Sequence, residues 1–208
     1  MNSSIMDQTG LVDKDLCRRF DISGPRYTSY PTADRFAADP GAQLLIDALR
    51  HRPAPEQPLS LYVHLPFCST VCYYCGCNKV ITKDHSKSSR YLDYLEREID
   101  LQLAELNGTR TVAQLHWGGG TPTFLNDDEM ARLMGLLKSR FNFLPEGEYS
   151  IEIDPRSVDP KRAHTLAELG FNRMSLGIQD FDPLVQQAVN RLQTFEQTRD
   201  VLLAARDA

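Results

Sequence analysis

The sequence predicts an α/β fold: an incomplete parallel (β/α) barrel of about four strand–helix units over residues 59–208, preceded by an N-terminal arm over residues 1–58. Three observations lead there. Short segments of strand length alternate with longer ones of helical period, which argues for a parallel sheet built from right-handed crossovers. The strand segments are apolar only at every second position. The chain has 208 residues and ends in VLLAARDA, an amphipathic helix with no strand after it. Eight units take about 250 residues, so the sequence reads as the front part of a longer protein.

The elements follow in order. The arm holds a short apolar-periodic segment near residues 42–49 and ends in the turn-rich RPAPEQP. LSLYVHLP reads as the first strand. SRYLDYLEREIDLQLAEL carries Leu92, Leu95, Ile99, Leu103 and Leu106 at helical spacing. VAQLHW is a strand, and NDDEMARLMGLLKSRF is a helix with Asn126 as N-cap and Glu129 completing a capping box. EYSIEID is a third strand. Asp159 and Pro160 open the next helix and Gly170 closes it. RMSLGIQ is a fourth strand, followed by helical segments to the end.

The strands are unusual for such a sheet, because strands covered on both faces are normally apolar on both. Here Ala113, Leu115 and Trp117 alternate with Gln114 and His116; Tyr149, Ile151 and Ile153 alternate with Ser150, Glu152 and Asp154. Met174, Leu176 and Ile178 alternate with Arg173, Ser175, Gly177 and Gln179, and Tyr62 and His64 interleave with Leu61, Val63 and Leu65. One face can therefore pack on helices while the other is polar. A wet outer face and a ligand-lined lumen both explain this pattern.

Composition narrows the function. A net charge of −5 argues against general nucleic-acid binding. The N-terminus lacks a signal-peptide pattern and no apolar run is long enough to span a bilayer, so a cytoplasmic location is expected. In that reducing compartment clustered cysteines are more often metal or redox groups than disulfides. Cys68, Cys72, Cys75 and Cys77 form C-x3-C-x2-C-x-C directly after the first strand, where sites in barrels and open α/β sheets are found. Zinc or an iron–sulfur cluster would both use such thiolates, and the cluster of cysteines favours the lumen reading of the polar face. The GGGTP turn, residues 118–122, suits close approach of backbone to a ligand. No G-x-x-x-x-G-K pattern supports a phosphate-binding loop.

C-x3-C-x-aromatic-C, with Tyr74 as the aromatic, resembles the signature of the radical S-adenosylmethionine (SAM) enzymes. Around it, SGPRYTSYPT, YVHLPFC, CGCNK, LHWGGGTPT, SIEIDPR, GFNRMSLGIQDF and VNR, in that order, resemble the oxygen-independent coproporphyrinogen III oxidases. The resemblance implies a partial barrel of the radical SAM type, a [4Fe–4S] cluster on Cys68, Cys72 and Cys75, and two molecules of SAM. One iron stays open for the amino and carboxylate groups of the first SAM, and reductive cleavage gives a 5′-deoxyadenosyl radical. A fourth cysteine ligand would close that position, so Cys77 is implied as a non-ligand with a catalytic or positioning role. Tyr62, Gly119 and Glu152 match contacts to the first SAM; Tyr74, Gly120, Thr121, Gln179 and Arg191 match contacts to the second. Tyr73 reads as packing, Cys17 as an ordinary thiol, and His64 and His116 as hydrogen-bonded residues of the polar face.

The implied reaction is oxidative decarboxylation of two propionates of coproporphyrinogen III to vinyl groups, giving protoporphyrinogen IX. It implies a porphyrinogen substrate, an unidentified electron donor and a monomer. Lys79, Lys83, Lys87, Arg90 and Arg26 are the nearby cations for an anionic substrate, with the SGPRYTSYPT arm as its gate. A haem-trafficking relative is expected to lack Cys77 and that arm, and both are here. A passive zinc- or cluster-binding module would have no use for GGGTP or a polar lumen. An inactive fragment is the third alternative.

Overall fold

The computed structural model describes residues 13–21, 32, 35–36 and 41–208. The SGPRYTSYPT arm, apart from Thr32, lies outside the described residues, and so does Arg26. The chain divides into two compact units, Met1–Leu45 and Ile46–Ala208, and the whole candidate site lies in the second. Its helices and strands, in chain order with those of the first unit, are α1 (Lys14–Phe20), α2 (Gly41–Arg50), β1 (Leu59–Leu65), β2 (Phe67–Cys68), β3 (Val80–Ile81), α3 (Ser86–Glu105), β4 (Thr111–Gly119), α4 (Asp127–Arg140), β5 (Asn142–Ile153), α5 (Pro160–Leu169), β6 (Arg173–Leu176), α6 (Pro183–Ala188) and α7 (Phe195–Asp207).

Four strands form one parallel sheet in the order β1-β4-β5-β6, with a helix in each crossover, which is the partial α/β barrel expected. The alternation decides which face the helices take. Val63, Leu65, Leu115, Trp117, Ile151 and Ile153 pack with Leu92 of α3, Met130, Leu133 and Leu137 of α4, Leu166 of α5 and Val201 of α7 in one core. Full burial of such a side chain is worth about 1.5–3 kcal/mol. The helix ends follow the sequence: Asn126 and Glu129 form the reciprocal capping box, Asp159 caps α5, and Gly170 ends it in left-handed backbone at φ 110°.

Three local features differ from the sequence reading. Ala113 does not belong to the apolar set. The register slips between Val112 and Gln114 against β5, and Val112 takes the buried place. A bulge of this kind shifts the phase of alternation by one residue, which periodicity cannot foresee. β5 begins earlier than Glu148; it pairs Phe143 with Val112, loops out residues 144–147, and resumes with Glu148 opposite Gln114. The Tyr149 hydroxyl closes that excursion by donating to the carbonyls of Leu144 and Val112. β6 is shorter than expected, ending at Leu176. Gln179 already has a left-handed backbone at φ 66°, and Ile178 is exposed rather than in the core.

Ile151 is fully buried near the C-terminal end of β5, between β4 and β6. Ile151→Ala is expected to lower unfolding free energy by about 2–5 kcal/mol, read as a shifted urea midpoint at unchanged slope.

Candidate active site

The polar face of the sheet forms the floor. Tyr62, His116 and Ser150 lie side by side in register on β1, β4 and β5. The Tyr62 and His116 rings stack with centroids 5.9 Å apart. His116 uses Nδ1 on Ser150 Oγ at 2.7 Å and Nε2 on Glu152 Oε1 at 3.4 Å. Tyr62 Oη meets His64 Nδ1 at 2.9 Å, and His64 Nε2 meets the Asn78 carbonyl at 2.9 Å. Both histidines are thus hydrogen-bonded members of the polar face. Every polar group named here has a partner, so the face avoids the cost of about 1–3 kcal/mol for each buried group left unpaired.

The cysteine loop leaves this sheet through Pro66 and is clipped by a small parallel pair, β2 with β3, which has no signal in the local residue pattern. Val80 N–H donates to Pro66 O at 2.8 Å and Thr82 N–H to Cys68 O at 2.9 Å. Cys68 Sγ lies 3.4 Å from Thr121 Oγ1, and burial pushes its thiol up despite that hydroxyl. At Cys75 burial also favours the thiol. There the hydrogen bonds from Cys77 and the Lys79 ammonium outweigh it, and the group lies below the ordinary thiol range. Cys77 is pushed the other way, by burial and by the neighbouring Cys75. Lys79 holds the turn by donating to Cys75 O at 2.8 Å and Cys77 O at 3.4 Å.

The glycine turn packs on the backbone of residues 65–67. A Cβ on Gly120 would stand 2.6 Å from the Pro66 carbonyl group, and Gly119 has φ 113° against the His64 ring. The N–H groups of residues 119–121 are all used within the protein. Gly120 donates to Leu65 O at 2.9 Å, Thr121 to Phe67 O at 2.8 Å, and Gly119 to Glu152 Oε2 at 3.3 Å. What the turn and Glu152 retain is acceptor capacity, suited to a donor such as an ammonium.

The third wall was largely missed in the sequence. Asp154, half-seen as a polar strand residue, is buried between two guanidiniums: Arg156 Nη2 at 2.6 Å and Arg191 Nη2 at 3.3 Å. Burial raises its carboxyl, but the hydrogen bonds of Arg156 and the charge of Arg191 outweigh that, holding it below the usual carboxylate range. Both guanidiniums also reach Cys72 Sγ, each at 3.8 Å. Arg191 is only 7% exposed. It also donates to Gly177 O at 2.7 Å and Gln193 Oε1 at 3.1 Å. Gln193 and Gln186, both buried, bond to each other and to the carbonyls of Ile178 and Asp180, which fixes the loop that carries Arg191. The signal for this wall was the EIDPR and VNR motifs; nothing in spacing joins them.

These walls enclose a cavity of about 810 Å³. Cys68, Cys72, Cys75, Cys77 and Tyr74 line one side; Gly119, Gly120, Thr121 and Glu152 another; Gln179 and Arg191 the third. Tyr62 stands apart from that lining, on the sheet face and 59% exposed. Tyr73, expected as packing, is 69% exposed. Cys17 is an exposed thiol of α1. Among the described residues no three His, Cys, Asp or Glu side chains gather closely enough to hold a single metal ion. Cys68, Cys72 and Cys75 line one cavity, with cations beside Cys72 and Cys75, and three such thiolates fit an iron–sulfur group.

Comparison with known proteins adds to this geometry. Residues 62–208 match the model of the radical SAM superfamily. The oxygen-independent coproporphyrinogen III oxidase of Pseudomonas aeruginosa is 54% identical over 196 residues, 93% of this chain and 43% of the relative. The one from Mannheimia haemolytica is 52% identical over 143 residues, 69% of this chain and 96% of the relative. A solved structure of coproporphyrinogen III oxidase from Escherichia coli, described as a radical SAM enzyme, superimposes with a TM-score of 0.80 at 46% identity. It covers 94% of this chain and 43% of that one. The chain therefore spans about two fifths of the length of most of the curated relatives it matches.

The site generates two expected outcomes. Gly120→Ala forces backbone at residues 65–67 to move, so unfolding free energy should fall by about 1–3 kcal/mol in urea titration. Asp154 has a depressed folded pKa, so its stabilising contribution is complete above the unfolded value of about 3.9 and is lost as pH falls through the folded value. Asp154→Asn should therefore be less stable at neutral pH and should lose less stability than the parent on acidification below pH 4, in denaturation curves taken across that range.

Proposed function

The chain belongs to the radical SAM superfamily, within the oxygen-independent coproporphyrinogen III oxidases, and from that premise we propose that it forms the cofactor-binding part of an enzyme that oxidatively decarboxylates coproporphyrinogen III to protoporphyrinogen IX in haem biosynthesis. The observation that carries this reading is the meeting, in one cavity at the carboxyl ends of parallel strands, of the cysteine loop, the acceptor-rich turn with Glu152, and the buried Arg191.

Cys68, Cys72 and Cys75 would hold a [4Fe–4S] cluster as thiolates. When bound, that cluster and SAM supply one-electron cleavage of a sulfonium and so abstraction of hydrogen from a propionate β-carbon, after which CO₂ and one electron leave and a vinyl group remains. The protein's own part is binding, orientation and charge. Lys79 and Cys77 favour the thiolate at Cys75, while two guanidiniums lie beside the Cys72 sulfur. Burial and the neighbouring Cys75 push the Cys77 thiol up, which suits a residue that serves the reaction without ligating.

Glu152 and the glycine turn, with Gly119, would accept hydrogen bonds from the ammonium of the first SAM, with Tyr62 on the sheet face beneath. His116 holds the Glu152 carboxylate from below. Arg191 and Gln179, with Gly120 and Thr121, would serve the second SAM, and Tyr74 would lie against its adenine. Lys79 and Arg156 line the same cavity and offer positive charge to propionates. A thiolate-held cluster suits a reducing compartment, and a cytoplasmic location is part of this proposal. Among the described residues no helix is long and apolar enough to cross a membrane. The chemistry also calls for a one-electron donor and an acceptor as partners.

The test is anaerobic reconstitution of this chain with iron and sulfide, reduction, and electron paramagnetic resonance with and without SAM. A cluster signal that changes on adding SAM is expected; a cluster indifferent to SAM would count against the reading. In the same preparation Cys77→Ser should retain its iron and sulfide, because three other cysteines suffice. Loss of most of the iron would make Cys77 a ligand.

A further inference from the structure

Asn190 lies at the C-terminal end of α6 with left-handed backbone, φ 55°. Asparagine is favoured there after glycine, so a simple helix cap would explain its presence. Its side chain does something a cap does not need. Asn190 Nδ2 donates to the carbonyl of Val71 at 2.7 Å, and the adjoining Val189 carbonyl accepts from the Tyr73 N–H at 3.0 Å. Among the described residues these are the only backbone hydrogen bonds tying the loop between Cys68 and Cys75 to distant chain; the other, Cys75 N–H to Cys72 O at 3.0 Å, is internal to it. The loop is otherwise poorly held, with Val71 and Tyr73 exposed, and Cys72 between them. The next residue along, Arg191, meets the Cys72 sulfur.

We propose that Asn190 is a positioning residue that latches the cysteine loop, setting Cys72 against the guanidinium of Arg191. The left-handed backbone aims the amide across, and the amide carries the latch. The polar knot of Gln186 and Gln193 supplies the fixed side of it. The consequence for cluster retention rests on the function proposed above; the latch itself does not.

The test uses two variants of the full chain. Asn190→Gly keeps or improves the helix cap and removes the amide. Asn190→Asp keeps shape and backbone preference but replaces the donor by an acceptor. In the metal-free chain, both should speed amide hydrogen exchange at residues 69–74 about tenfold, the change expected from one lost hydrogen bond, with β4 and β5 unchanged. In the reconstituted chain, both should release iron to a chelator several-fold faster. Wild-type protection of the loop in Asn190→Gly would reduce the residue to a cap and overturn the proposal. Equal acceleration in β4 and β5 would overturn it as general destabilisation. A loosened loop with unchanged iron release would overturn the positioning role. Failure of the parent chain to take up iron would instead sink the cluster assignment, and the exchange measurement would still decide the latch.

Discussion

A strand cannot choose independently where its side chains point, because the pleat sends neighbours to opposite faces. In this sheet that constraint is used twice. Leu115, Trp117, Ile151 and Ile153 give the helices one continuous apolar surface. The residues between them are forced to the other face, where His116, Ser150 and Glu152 satisfy one another. The core and the site are therefore the two sides of the same four strands. A change of phase in any one strand would exchange them, and the bulge at Ala113 shows how the chain corrects the phase before the functional residues begin.

The second requirement is electrostatic. Burying one guanidinium costs several kcal/mol unless it is paired and its donors are used. Arg191 satisfies this through Asp154, Gly177 O and Gln193, and Asp154 is shared with Arg156. Two cations around one anion leave an excess positive charge at the cavity wall. That excess faces the Cys72 sulfur. At Cys75 the neighbouring cation is the Lys79 ammonium, which together with the hydrogen bonds from Cys77 holds that thiol below its ordinary range.

Much of this was legible in the sequence, for physical reasons. Period-two alternation marked the core residues of β1, β4 and β5, and capping chemistry marked the ends of α4 and α5. The spacing of the cysteines and the glycine turn located the two ends of the cavity. Contacts that depend on residues far apart in the chain were not legible. Nothing local to Asp154 announces Arg191, and nothing around Val71 announces Asn190. The two-residue pair β2–β3 is too short to have a period, and Phe67 of β2 is buried against Phe124 and Tyr91 from distant parts of the chain. Tyr73 looked like packing because aromatic residues usually are, yet its ring is left exposed.

The glycine turn shows why motif and mechanism have to be argued separately. Consecutive glycines are commonly read as a cradle of N–H groups for an anion. Here the N–H groups of residues 119–121 are spent on Glu152, Leu65 O and Phe67 O, and the missing side chains make room for Glu152 and His116, the His64 ring and the backbone of Pro66 and Phe67. The turn is thus an acceptor surface locked against β1, continuous with the Glu152 carboxylate. Arg156, Arg191 and Lys79 line the same cavity as donors. Acceptors and donors around one space suit ligands that carry both charges, as the two proposed SAM molecules do, better than a plain anion. The composition of the walls, more than the glycines themselves, therefore supports that proposal.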